Sequence, residues 1–489
     1  MISRMKFLGL GVALSMVVSG CARLAPQEAF DDVAFEVGER IGKRVQWDMG
    51  TSDDLAANAG VRSLLSRQLA PASAVQIALL NNKSLQASYA EVGIAQANLV
   101  QAGLLRNPVF DGAVTWFNDA GGTPNLAFGV AWSFVDLLQR PKRKAVARSA
   151  LEEAKLEVAR RVIVHAADTH TAFIDFVAAT QEVELFRSVV KSARATVNAA
   201  AALRKAGNIT ALQFEQNQSF LTQAKLELAQ AEARGAEARE TLNVLMGLTG
   251  SQTRWSAPNR LPGIAGAAIN THDIERRAVQ ASLEIAIARQ KLVTLGRQFR
   301  LVRKQSLLPD VDGGVEYERE VEVEADEETG EKEKTLREAF GPTFGVEIPI
   351  FDRGQARKAG VLLKIRAAED SLWALAVRVR SAARLTRARL ETAGKTERYY
   401  RKAVLPQRER ILQGTQRDYN AMQESIFQLI AAKRQQILAG REFIQAQRAY
   451  WIAHVRFQQL MSGALPGAAG EKAVEMASAG ANGGDAGGH

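Results

Sequence analysis

The sequence predicts a mainly α-helical protein with a small transmembrane β part, built on a helix–strand–strand–helix–helix plan that is performed twice. Alanine and leucine dominate an apolar share of 47%, while aromatic residues make up only 6%. That balance favours long, closely packed helices over a thick globular core. No glycine or further proline interrupts the pattern from Pro141 to about Lys205, which at 1.5 Å per residue is roughly 100 Å of helix and more than one compact domain spans. Finally, "AGLLRNPVFDGAVTW" (102–116) and "SLLPDVDGGVEYE" (306–318) both close a helical run with Leu-Leu and a proline. Both then alternate with period two, keeping Asp312-Gly313 in register with Asp111-Gly112.

The N-terminus reads as a secretory signal. Arg4 and Lys6 precede an apolar core from Phe7 to about Val18 and then Ser19-Gly20-Cys21, too short a core to span a bilayer as a retained helix. The segment 1–20 resembles a bacterial lipoprotein signal, which implies that Cys21 becomes the acylated first residue and that 21–70 is a lipid-anchored extension. Cys21 is also the sole cysteine, so intrachain disulfides and a second thiol are excluded.

The first repeat spans 71–250. Leu79, Leu80, Leu85, Val92 and Leu99 lie on one amphipathic helix from Val75 to Arg106, which Asn107-Pro108 ends. Strands follow at 109–117 and 126–134. A very long helix, a break at "AGNIT" (206–210) and a second helix complete the repeat. After a linker over 251–270, read from its Pro and Gly content over 251–266, the plan returns over 271–462. It gives a helix from Asp273 to Leu308, strands at 311–323 and 340–350, a helix from Gly354 to about Tyr419, a break, and a helix from Ile426 to Met461. "FGVAWSFVD" (128–136) matches "FGVEIPIFD" (344–352), as internal duplication requires. The Gly/Ala-rich tail 463–489 reads as disordered.

The strands share one design. Phe110, Val114 and Trp116, then Phe128, Val130, Trp132 and Phe134, and later Val315, Tyr317, Phe344, Val346 and Ile348, form an apolar face expected to meet lipid. Small and acidic residues form the other, with Asp312, Glu316, Glu318, Glu320 and Glu347 expected to line an aqueous lumen or to lie in an external loop. Four strands cannot close a sheet, and a barrel needs about eight. In lipid an open edge has no water to satisfy it, so several copies must each donate strands. A soluble sheet whose aromatic face packs on the chain's own helices is the competing arrangement.

The order of these parts resembles the TolC family of outer membrane factors. Four segments carry the resemblance: "ALLNNKSLQASYAEVGIAQANLVQAGLLRNP", "LRKAGNITALQFEQNQSFLTQAKLELAQAEA", "GVEIPIFDRGQARKA" and "DYNAMQESIFQLIAAKRQQILAGREFIQAQRAYW". It implies a homotrimer whose 12-stranded β-barrel in outer membrane lipid continues as a periplasmic α-helical barrel, docked to a periplasmic adaptor (membrane fusion) protein and an inner-membrane pump. It also implies that the helix breaks Gly207-Asn208-Ile209-Thr210 and Met422-Gln423-Glu424-Ser425, with Gln428, are adaptor-docking or tip-constriction residues. Ordinary helix-hairpin turns are the alternative. Two departures stand out. The acidic ring of some members falls near Gln428 and Ala431 here, and Met422 stands where the second turn would carry glycine.

Formal net charge is +10 (63 Lys and Arg, 53 Asp and Glu), spread along helices beside Glu at i,i+4 spacing, so solvated faces rather than a nucleic-acid surface are expected. His165 and His170 are five apart, off the i,i+4 spacing of a helical metal pair. No Walker, GxSxG or CxxC pattern occurs, so neither an enzyme nor a metal or other cofactor is expected. The function expected is a passive conduit across periplasm and outer membrane. The alternative is a non-pore coiled-coil scaffold or adaptor lipoprotein of the cell envelope.

Overall fold

The computed structural model describes residues 25–116, 124–264, 272–307, 311–325 and 332–467. The expected acylation site Cys21, the expected signal 1–20 and nearly all of the tail lie outside the described residues. Helices α1 (Pro26–Ile41), α2 (Ser52–Leu65), α3 (Pro71–Asn81) and α4 (Lys83–Ala102) lead to strands β1 (Val109–Thr115) and β2 (Asn125–Ser133). Then come α5 (Phe134–Lys205) and α6 (Ala211–Met246). The second half repeats the plan with α7 (Ile274–Ala281), α8 (Leu283–Gln305), β3 (Val311–Ala325), β4 (Lys332–Val346), α9 (Gln355–Tyr399), α10 (Leu405–Asn420) and α11 (Ile426–Met461).

The chain divides into two units. One comprises the described residues up to Ala29, with Val92–Lys155 and Ile287–Leu372. The other comprises Phe30–Glu91, Leu156–Ala286 and the chain from Trp373 onward. The first holds the sheet, a single antiparallel layer in the order β1-β2-β3-β4. The core of the second includes Leu69, Ile77, Phe173, Val177, Leu242, Met246 and Trp255. Arg239 lies over the Trp255 ring at 4.0 Å. None of the described helices is long and apolar enough to cross a membrane.

Duplication is visible atom by atom in the second unit. The left-handed Gly247 (φ +66°) ends α6 and Gly463 (φ +100°) ends α11. Leu248 N–H donates to Asn243 O at 2.9 Å and Ala464 N–H to Gln459 O at 3.1 Å, the same six-residue closure of a helix end. A Cβ on Gly247 would meet Asn81 O at 2.9 Å, and one on Gly463 would strike Ala281 O, so both positions need glycine for space as well as for φ. Asn82 Oδ1 accepts from Leu85 N–H at 3.1 Å, while Ser282 Oγ accepts from Ile285 N–H at 3.2 Å. These side chains cap α4 and α8.

Those caps correct the expected single helices 75–106 and 273–308, because each is two helices with a break at Asn82 or Ser282. Other boundaries differ as well. Phe134 opens α5 rather than closing β2, leaving Pro141 inside the helix. Contacts to Asp136 hold the two turns before that proline helical. β3 and β4 run on to Ala325 and from Lys332, continuing the ladder into the acidic stretch. β4 ends at Val346, leaving Glu347 and Ile348 beyond the strand. The helix expected over 354–419 contains a π-helical turn, Tyr400–Val404, just before Pro406, a position where an absent N–H leaves the ladder one bond short.

Within the expected extension, 26–41 and 52–65 are helical. Phe30, Val33 and Val37 of α1 are fully buried, and the Phe30 ring packs on Tyr89 at 4.8 Å and Trp47 at 5.9 Å.

Candidate functional site

Ladder register fixes which residues share a face, because paired residues in an antiparallel sheet point the same way. Trp132, Gly313 and Phe344 form one level; Phe110, Val130, Val315 and Pro342 the next; Gly112, Phe128, Tyr317 and Phe340 the third. Val114 and Leu126 continue it beside Arg319 and Glu338, while Val311 and Val346 begin it. Alternate residues, including Asp111, Ala113, Ala127, Gly129, Ala131, Ser133, Asp312, Glu316 and Glu318, occupy the opposite face. One apolar, aromatic face therefore runs without interruption across both hairpins.

Among the described residues most of that face is left uncovered. Phe110, Val114, Trp116, Phe128, Val130, Val315, Phe344 and Val346 are all exposed, as are Phe134 and Ile348 at its ends, whereas Trp132 and Tyr317 are half-buried. From Val311 to the level of Arg319 is eight residues, about 27 Å along a strand. At a tilt of about 40° that gives about 21 Å of height, near the ~25 Å apolar band of outer-membrane barrels. Arg319 and Glu338 face each other at one rim, and the Tyr317 hydroxyl donates to Glu338 Oε1 at 3.1 Å. On their outer sides β1 and β4 have no partner strand among the described residues.

Of the acidic candidates, Asp312, Glu316, Glu318 and Glu320 share the polar face. Glu347 instead borders a polar cleft of about 170 Å³ with Arg106, Asp136, Asp352 and Arg357. The buried Asp136 accepts from both Arg143 guanidinium nitrogens and from the Arg106 backbone N–H. Hydrogen bonding from Arg143 outweighs burial and holds its carboxyl below the usual carboxylate range. The second repeat answers with Asp352, which accepts from Gly354 N–H at 2.7 Å and Arg357 at 3.1 Å. The motif Arg-Lys-Ala, at 143–145 and again at 357–359, was the available sequence signal for these two strand-to-helix anchors.

The helix breaks are copies of one turn. Gly207 (φ +77°) and Met422 (φ +63°) are left-handed. Asn208 N–H donates to Leu203 O and Gln423 N–H to Asp418 O, both at 2.9 Å. Three residues after each left-handed position, Thr210 and Ser425 cap the following helix through reciprocal bonds with Gln213 and Gln428. Asn208, Thr210, Gln423, Ser425 and Gln428 are exposed, Ile209 and Glu424 half-buried, and Met422 is 95% exposed. A bare thioether on a turn apex is a large apolar group held in water.

His165 Nε2 lies 3.0 Å from Leu245 O, and burial is the main cause that depresses the His170 pKa to about 4. Among the described residues no group of His, Cys, Asp and Glu side chains is arranged to hold a metal ion.

Residues 74–248 match the family model of the outer membrane efflux proteins. No curated protein matches the chain in sequence. Solved structures share its fold. A membrane protein of Pseudomonas aeruginosa is 18% identical with a TM-score of 0.64, over 83% of this chain and 91% of that one. The CmeC outer membrane channel of Campylobacter jejuni is 15% identical with a TM-score of 0.61, over 83% and 89%. The open MtrE outer membrane channel of Neisseria gonorrhoeae is 17% identical with a TM-score of 0.59, over 80% and 88%.

Proposed function

We propose that this chain, whose first repeat matches the outer membrane efflux protein family and whose fold is shared with solved outer membrane channels, is the outer membrane channel of a tripartite efflux or export system. It acts as a passive conduit. Energy comes from an inner-membrane pump, and a periplasmic adaptor joins the two.

The observation that carries this reading is the sheet, with one unbroken apolar face, one small and acidic face, and two open edges. Such a layer is stable in a bilayer only when closed by other copies. Three chains of four strands give a twelve-stranded homotrimeric barrel, within the range of bacterial barrels. The Glu316, Glu318 and Glu320 carboxylates then line water and favour cations. Cys21, acylated after signal cleavage, adds a lipid anchor in the outer membrane. The turns Gly207–Thr210 and Met422–Ser425, with Gln428, supply the adaptor contact or the constriction.

Purified full-length protein reconstituted in a planar bilayer tests the reading. It predicts discrete single-channel currents and a heat-sensitive trimer on gels. A silent bilayer together with a purely monomeric detergent extract would leave the scaffold lipoprotein as the better description.

A further inference from the structure

The sheet-bearing unit segregates its charge. On α5 from Leu137 to Leu151, Arg140, Lys142, Arg143, Lys144 and Arg148 occur without a single Asp or Glu. The packed end of α8 carries Arg297, Arg300, Arg303 and Lys304, again without acids, and the first turn of α9 carries Arg357 and Lys358. Carboxylates return to α5 only at Glu152. Charge of one sign over several helical turns, beside a face built for lipid, calls for a counter-charge of its own.

Within this belt lies a defined cleft. Lys142, Ala145, Arg148, Arg297 and Arg300 enclose about 190 Å³ between α5 and α8, four cations with no acidic side chain among them. Arg297 is fixed in place, donating to Ala145 O at 3.0 Å and to Ser149 Oγ at 2.5 Å. Gln290 Nε2 donates to Ser149 O at 3.0 Å and Lys304 Nζ to Leu138 O at 2.8 Å, so the two helices that form the walls are bonded along their length. Lys142, Arg148 and Arg300 are exposed and have no hydrogen-bond or salt-bridge partner among the described residues.

The position of the cleft is specific too. α5 begins at the residue after β2, so Lys142 lies about 12 Å and Arg148 about 21 Å along the helix from Phe134. Side chains on a helix lean toward its N-terminus, here toward the sheet, and long cationic stems reach several ångström further. A bilayer's headgroup layer begins where the apolar band ends.

We propose that this cleft binds the phosphodiester headgroup of an anionic phospholipid, seating the sheet against the leaflet next to the helices. The proposal rests on the membrane reading of the sheet. Arg297 is the pre-positioned donor; Lys142, Arg148 and Arg300 close on the phosphate and the headgroup charge. A phosphodiester is the fitting ligand because its diffuse negative charge suits guanidinium donors and its acyl chains continue onto the adjacent apolar face.

The test titrates the assembled full-length protein in detergent with short-chain phosphatidylglycerol, phosphatidylcholine and inorganic phosphate, counting bound lipid by native mass spectrometry. Phosphatidylglycerol is expected to bind about tenfold tighter than phosphatidylcholine, and to lose about tenfold in K142Q/R148Q/R300Q. The single exchange R148Q should lose a smaller part, and K191Q/R194Q/K205Q, exposed cations elsewhere on α5, should bind as the parent does. Equal binding of the two lipids, retention in the triple variant, or displacement of the lipid by inorganic phosphate at similar concentration overturns the proposal. Single-channel recording of the same preparations separates the two readings, since a chain that binds phosphatidylglycerol as described yet never conducts upholds the lipid site and refutes the conduit.

Discussion

Val130 of β2 stands opposite Val315 of β3, and through this pair and its seven neighbours the hairpins of the two repeats become one sheet with one apolar face. Both residues are exposed, and both occupy the middle of the band. Val130→Lys is expected to cost about 2–4 kcal/mol in lipid and to reduce the fraction of heat-sensitive oligomer on gels. Ala131→Lys, one residue along and on the small, acidic face, should leave that fraction near the parent's.

Met422 carries a conformational cost that Gly207, in the same turn of the first repeat, does not. A left-handed L-residue costs roughly 1–2 kcal/mol, and glycine returns part of that through its freer unfolded chain. Met422→Gly should therefore stabilise the chain by about 0.5–1 kcal/mol, and Gly207→Met destabilise it by about 1 kcal/mol. Thermal unfolding monitored by circular dichroism reads both. If Met422→Gly also weakens adaptor pull-down, the side chain was kept for binding.

Glu182 on α5 is nearly buried and accepts at 2.9 Å from Arg234 of α6 and at 2.9 Å from Arg441 of α11. Removing it takes the carboxylate from Arg234 and leaves Arg441 only Glu227, at 3.9 Å; both guanidinium groups are more than a third exposed, so water relieves part of the cost. Glu182→Ala is expected to lose about 2 kcal/mol, measurable as a lower urea midpoint with an unchanged slope.

His170 links stability to pH. Burial lowers its pKa to about 4, with smaller contributions from His454 and Lys43; the unfolded value is about 6.5. The unfolded chain then binds the extra proton first, so stability is complete above about pH 6.5 and falls as pH drops toward 4, by up to about 3 kcal/mol. Replacing it in His170→Gln should flatten that window in pH-dependent unfolding curves. An unchanged slope would place the titration elsewhere.

The parts of the fold legible in the sequence were those with a strong period. Alternation at Phe128, Val130 and Trp132 marked a strand, and the uninterrupted run after Pro141 marked a helix. What escaped were features decided by single hydrogen bonds or by tertiary contact. Asn82 and Ser282 break helices through one cap each, in sequence that stays apolar and Ala-rich around them. Phe134 reads as the next alternating residue, but Asp136 with Arg143 and the Arg106 N–H makes it the first turn of α5. The glutamates of 316–324 resemble a solvated loop, although alternate valines keep them in a ladder. Which strand residues share a face was readable because a two-residue period assigns faces directly. The Asp136 and Asp352 anchors were marked only by the repeated Arg-Lys-Ala, since a lone Asp–Arg pair seven or five residues apart has no distinctive spacing.

Single cysteines placed along β2 from Leu126 to Ser133, in trimers reconstituted into vesicles, test the central claim most directly. Residues 126, 128, 130 and 132 should be quenched by brominated acyl chains when labelled with a fluorophore, and 127, 129, 131 and 133 by a water-soluble quencher. A strict two-residue alternation between the two quenchers is the predicted result. Uniform access from water, or protection of the even positions from both, would contradict it.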